Sequence, residues 1–119
     1  MLLHWPTPSG ENREALELLQ QAANKGYAKS IGVSNYTIEM MEEACAILNG
    51  VPVCNQVEFH PYLDQSKLFA AATRLGIALS AYCPLAKGRI FGDPVINALA
   101  EKYDRSEAQI ILRLSLIHI

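Results

Sequence analysis

Asn55-Gln56-Val57-Glu58-Phe59-His60-Pro61-Tyr62 is a short β-rich run that breaks into polar and aromatic residues just before a helical stretch. Three other junctions along the 119 residues have the same form: His4-Trp5-Pro6, Gly32-Val33-Ser34-Asn35 and Ala81-Tyr82-Cys83-Pro84-Leu85. The marker positions His4, Ser34, Gln56 and Tyr82 lie 30, 22 and 26 residues apart, the length of one strand-plus-helix unit. Repeated units with chemistry at the strand C-termini are the sequence image of a (β/α)8 barrel. The expected class is therefore α/β, with parallel strands and right-handed crossovers. A complete barrel needs about 250 residues, so this chain is expected to form a partial (β/α)8 TIM barrel.

Composition agrees. Hydrophobic residues make up 50% of the chain and charged residues 18%, which suits a buried parallel sheet covered by helices. The formal charge is −2 with no basic run, against a nucleic-acid surface. No apolar stretch approaches the roughly 20 residues of a membrane span, and no leader peptide is expected ahead of the first strand. Cys45, Cys54 and Cys83 are odd in number and lack CxxC spacing. The simplest reading is reduced thiols in a cytoplasmic protein.

Between the junctions the periodicity predicts helices. One spans 11–25, with Leu16, Leu19, Ala22 and Ala23 on its apolar side and Gly26 closing it. Thr37 caps the next, with Ile38, Met41, Cys45 and Leu48 on one stripe and Asn49-Gly50 at its end. Asp64 caps a third, carrying Leu68, Ala71, Ala72 and Leu75 and closed by Gly76. The strands between are expected at 2–5, 30–34, 53–59 and 77–82. Pro6 and Pro8 force an extended loop. Asp93-Pro94 is a strong helix start, with Ile96, Leu99, Ala100 and Tyr103 as the apolar side. Ser106-Glu107-Ala108-Gln109 is a capping box opening a last helix through Arg113.

The ends are unusual. The chain opens inside what should be a barrel strand. It closes with Leu114-Ser115-Leu116-Ile117-His118-Ile119, which resembles the in-frame translation of a sequencing-library transposon adapter. The expectation is a barrel fragment over residues 1–113 and a non-native tail over 114–119. The alternative is a genuine strand or helix end.

Taken in order, the four junctions resemble the aldo-keto reductases. The run Cys83-Pro84-Leu85-Ala86-Lys87-Gly88, followed by Asp93-Pro94-Val95-Ile96, is most similar to the bacterial 2,5-diketo-gluconate reductase branch. The resemblance covers the family's fourth strand to its seventh helix. It implies hydride transfer from NADPH to an aldehyde or ketone, without a GxGxxG fingerprint, in a parent protein that is monomeric and takes a keto sugar or another small carbonyl substrate. By that resemblance His4 is the catalytic residue that hydrogen-bonds the substrate carbonyl oxygen, where an imidazole N–H stabilises developing negative charge. Trp5 walls the substrate pocket. Ser34, Asn35 and Gln56 bind the nicotinamide amide, and Tyr82 stacks on the nicotinamide ring. Cys83 and Leu85 lie against the pyrophosphate, with charge added by Lys87 and Arg89.

Each residue also has a plainer reading: a core histidine for His4, packing for Trp5, a helix cap for Asn35, a core tyrosine for Tyr82 and a solvated loop for Lys87–Asp93. Gln56 and Glu58 share strand parity. Glu58 is expected inside the barrel, where a carboxylate must be hydrogen-bonded. His60-Pro61-Tyr62 is expected to shape its loop. No metal site is expected, because His4, His60 and His118 lack ligand spacing. The family's general-acid tyrosine, its lysine and its aspartate fall upstream of Met1, and none of Tyr27, Tyr36, Tyr62 or Tyr103 stands in the matching motif. The 119-residue chain is therefore expected to be inactive, and marginally stable because two sheet edges lack partners. The competing function is a non-catalytic, cofactor-sensing regulatory protein on the same barrel. A third possibility is another barrel enzyme with chance motif matches.

Overall fold

The computed structural model describes residues 1–7 and 12–116, with side chains through Leu114. The expected loop at Pro8, the helix start at Glu11 and the end of the tail (117–119) lie outside the described residues. Strands β1 (Leu2–Leu3), β2 (Gly32–Ser34), β3 (Cys54–Glu58) and β4 (Ala78–Tyr82) form one sheet in the order β1-β2-β3-β4. Every pairing is parallel. Helices α1 (Asn12–Asn24), α2 (Ile38–Ile47) and α3 (Ser66–Leu75) connect successive strands. After β4 come a short 3-10 turn (Ala86–Gly88), then α4 (Pro94–Tyr103) and α5 (Glu107–Leu116).

Local chemistry sets these boundaries. The Thr37 hydroxyl accepts from Met40 N–H at the start of α2. Asp93 Oδ1 accepts from Val95 and Ile96 N–H at the start of α4, with Pro94 in the first turn. Ser106 and Gln109 close a reciprocal capping box, Ser106 N–H donating to Gln109 Oε1 at 2.9 Å and Gln109 N–H to Ser106 Oγ at 3.3 Å. Gly26 and Gly76 take left-handed φ values of 80° and 74°. They let Tyr27 N–H reach Ala22 O and Ile77 N–H reach Ala72 O, satisfying the last carbonyls of α1 and α3.

Three boundaries differ from the sequence reading. β1 stops at Leu3 rather than Trp5, because the Asn35 side chain takes the His4 carbonyl in place of a ladder partner. Asp64 stands one residue ahead of the cap of α3. It accepts from Ser66 N–H, while Gln65, at the cap, donates its side-chain amide to Glu58 O. α5 runs on to Leu116, past Arg113.

The sheet has two faces. Val33, Asn55, Val57 and Leu79 are buried and share one side. Val33, Val57 and Leu79 pack with Leu16 of α1, Met41 and Ala44 of α2, and Ala71 and Ala72 of α3 in the main core. Burying each Leu, Val or Met there contributes about 1.5–3 kcal/mol. The register aligns Leu2, Gly32, Cys54 and Ala78 across the other face, then Ser34, Gln56 and Ser80, then Glu58 and Tyr82. A smaller core of Ala86, Ile90, Ile96 and Ile111 lies under the segment after β4. Leu99 and Tyr103 were expected on the covered side of α4, but they are 37% and 57% exposed. With Pro61 and Ile110 they line an open groove between α4 and α5.

Two outcomes follow from this packing. A Cβ on Gly32 would meet Cys54 O and Leu2 Cδ2, each at 2.8 Å. Gly32→Ala should cost roughly 1–3 kcal/mol in urea unfolding. The Tyr36 hydroxyl is buried with no hydrogen-bond partner among the described residues. Tyr36→Phe, which removes an unmade bond rather than a contact, should leave stability unchanged or raise it by about 1 kcal/mol in the same assay.

Candidate active site

Ser34 ends β2, and the chain turns at once. Asn35 takes φ 61°, a left-handed conformation that asparagine tolerates better than most residues. The turn lays the Asn35 carboxamide across the strand ends. Its Nδ2 donates to His4 O and to Ser34 Oγ, both at 3.1 Å. Its Oδ1 accepts from the Tyr82 hydroxyl at 2.9 Å. The Gln56 carbonyl accepts from Ser34 Oγ at 2.7 Å and from Asn35 N–H at 2.9 Å. Five of the residues singled out from sequence thus meet in one network at the C-terminal rim of the sheet: Ser34, Asn35 and Tyr82 by their side chains, His4 and Gln56 by their backbone carbonyls.

The flanking groups complete a rim. The His4 ring lies edge-on to Trp5, centroids 6.1 Å apart, and both residues are exposed. A cleft of about 720 Å3 opens beside the network, lined by Trp5, Asn35, Glu58, Gln65, Lys67 and Tyr82. Glu58 departs from the sequence reading: its side chain is 43% exposed rather than enclosed. Its Oε1 lies 3.4 Å from His60 Nε2. His60 Nδ1 accepts from Tyr62 N–H, so His60 ties its own loop together.

Beyond Tyr82 the backbone is strained. Cys83, Ala86 and Lys87 have φ values of 51°, 47° and 56°, each costing roughly 1–2 kcal/mol for a non-glycine residue. Leu85 packs on the smaller core, Lys87 is exposed and Cys83 is a half-buried free thiol. Arg89, also exposed, leans toward the β3–α3 connection. Its guanidinium lies 5.1 Å from the centroid of the Tyr62 ring. The Tyr62 hydroxyl donates to Asp93 Oδ2 at 2.8 Å. That bond, then those from Ile96 and Val95 N–H, hold the Asp93 carboxyl below its usual range, and the same bond pushes the Tyr62 phenol above its own.

Sequence reasoning gave Asn55 no role. It is fully buried, and its carboxamide brackets the turn after Asn35, accepting from Tyr36 N–H at 3.3 Å and donating to Tyr36 O at 2.9 Å. The available signal was parity: a polar residue on the core-facing side of β3, between two half-buried positions, needs partners.

Known proteins share this fold. Part of a parallel α/β barrel, with its polar groups at the C-terminal rim, is the class that the sheet and the rim define. The family model described as "Aldo/keto reductase family" matches residues 1–114, and the chain belongs to that family. An aldo-keto reductase of Mycobacterium tuberculosis is 38% identical over 116 residues, covering 97% of this chain and 41% of the relative. A solved structure named as a candidate 2,5-diketo-D-gluconic acid reductase B superposes with a TM-score of 0.90 at 38% identity, over 94% of this chain and 40% of that one. A variant of Gox0644 in complex with NADPH superposes at 0.87 and 38% identity, over 94% and 42%. The chain spans about two fifths of the length of the curated relatives it matches. No helix among the described residues is long and apolar enough to cross a membrane.

Asn55→Leu would leave Tyr36 N–H and C=O without partners. The expected cost is about 2 kcal/mol or more in urea unfolding. A loss below about 0.5 kcal/mol, the scale of a neutral surface change, would show that Asn55 does not hold the turn.

Proposed function

We propose that this chain is the nicotinamide-facing part of an NADPH-dependent aldo-keto reductase acting on a keto sugar or another small carbonyl compound. One observation carries the reading: the network of Ser34, Asn35, the Gln56 carbonyl and Tyr82 at a single rim, with His4 and Trp5 beside it.

The groups at this rim suit a nicotinamide. A carboxamide needs donors and acceptors together, and Ser34, Asn35 and Gln56 offer a hydroxyl and two amides on neighbouring strand ends. The Tyr82 ring supplies an aromatic face next to them. Asn35 is already bonded on both ends of its amide, so an incoming carboxamide shares or replaces the Tyr82 hydroxyl on Asn35 Oδ1. Backbone groups of the Cys83–Gly88 turn are the candidates for the pyrophosphate, and exposed Lys87 adds positive charge there. NADPH, when bound, supplies the hydride. The His4 imidazole holds the substrate carbonyl by an N–H donated to its oxygen. Trp5 presents a flat apolar wall that orients the substrate and excludes water from one side.

The 119-residue chain carries His4 alone of the four catalytic groups that the resemblance implies. Cofactor binding and turnover should therefore separate. Trp5 is the sole tryptophan and stands at the cleft, so its fluorescence reports directly on the rim. Titration with NADPH should quench Trp5 saturably, and Asn35→Ala should weaken binding by roughly tenfold, the scale of one or two lost hydrogen bonds. No NADPH oxidation should be seen with an aldehyde substrate. Absence of saturable quenching would sink the cofactor reading, and turnover at the rate of a full-length relative would refute the claim of inactivity.

A further inference from the structure

The segment after β4 is a strained piece of backbone that needs holding. Three of its non-glycine residues, Cys83, Ala86 and Lys87, sit at left-handed φ within five positions. Such strain persists only where surrounding contacts over-determine it. On the inner side the contacts are apolar: Ala86 and Ile90 are buried with Ile96 of α4 and Ile111 of α5, and Leu85 packs against them. This small cluster is distinct from the core beneath the sheet.

On the outer side, one residue of the β3–α3 connection reaches across. The Tyr62 hydroxyl is 2.8 Å from Asp93 Oδ2 and 3.3 Å from Arg89 O. The Arg89 guanidinium covers its ring. Asp93 is held in turn, since its other oxygen caps α4. Gly92 N–H, next to it, donates to Glu107 Oε1 of α5 at 2.7 Å. Tyr62 therefore grips the far end of the segment by three separate contacts while its own backbone is tied to His60. The post stands on the connection that leaves β3. The strained turn leaves β4, the neighbouring strand.

We propose that Tyr62 is a positioning residue: clasped by Asp93 and Arg89, its phenol holds the Cys83–Gly88 turn in the shape that receives the cofactor's phosphates. The role rests on the cofactor reading given above, but the clasp itself can be measured without any ligand. Tyr62→Phe keeps the ring under Arg89 and removes only the hydroxyl. Asp93→Asn keeps an oxygen for the α4 cap and removes the charge that the hydroxyl faces.

Amide hydrogen exchange on the 119-residue chain tests the clasp, and Trp5 fluorescence with NADPH tests its purpose. In Tyr62→Phe the amides of Lys87, Gly88, Arg89, Phe91 and Gly92 should exchange roughly tenfold faster, the effect of losing one hydrogen bond to a charged group. Those of β3 and β4 should be unchanged. NADPH affinity should fall about three- to tenfold, the scale of the same lost bond. Asp93→Asn should act in the same direction, and the double variant should fall short of the sum of the two single effects, because both changes act on the contact between Tyr62 and Asp93. Unchanged exchange in the segment would overturn the clasp. Faster exchange spread over β3 and β4 would also overturn it, since the residue would then serve stability in general. Faster local exchange with unaltered NADPH affinity would overturn the positioning role while leaving the cofactor reading intact. If the unmodified chain does not bind NADPH, the cofactor reading falls and takes the positioning role with it, whatever the exchange shows.

Discussion

The carboxamide of Asn35 is the interaction on which the rim depends. Parallel strands end in free carbonyls and diverging connections, and nothing in the ladder itself fixes the groups beyond the last pair. Here one side chain spans them, bonded at the same time to the His4 backbone, the Ser34 hydroxyl and the Tyr82 phenol. It can do so because its own backbone turns left-handed at the end of β2. Asn55 fixes that turn from below, holding both backbone groups of Tyr36. A buried amide thus sets a half-buried one, and the geometry of the candidate site descends from the core of the sheet.

Much of this was legible in the order of residues. The period of polar, aromatic junctions marked four strand ends, and the register brings those ends side by side. Caps written in local chemistry, Thr37, Asp93-Pro94 and the Ser106/Gln109 pair, form as their residue types dictate. Contacts that join residues far apart in the chain were not legible. Tyr62 meets Asp93 across 31 positions and Tyr82 meets Asn35 across 47, and no spacing rule encodes either pair. The exposure of Glu58, Leu99 and Tyr103 was equally hidden, because an apolar stripe or an inward parity says which way a residue faces but not whether anything lies opposite it.

The molecule packs as two units with different physics. Beneath the sheet, helices α1 to α3 bury a continuous apolar layer. Beyond β4, a small four-residue core is joined to the rest by the chain itself and by the polar grip of Tyr62. The first is held chiefly by apolar contact, with one exposed ion pair, Arg74 to Glu42, between α3 and α2. The second is fastened by an exposed carboxylate and a phenol whose pKa values diverge, Asp93 downward and Tyr62 upward. Both shifts favour the bonded pair of ionised acid and neutral phenol. The grip is therefore present above the ordinary aspartate range and lost as pH falls through the lowered carboxyl value. At the other extreme it survives below the ordinary tyrosine range and is lost as pH rises through the raised phenol value.

The glycines that close α1 and α3 stand at the opposite end of the sheet from Asn35. Gly26 and Gly76 lead into strands, whereas the polar groups gather where strands finish. That separation gives the fold a quiet pole and a chemical pole. Insertions or altered turns at the quiet pole would be registered as a change in melting behaviour while the groups gathered at the rim keep their places.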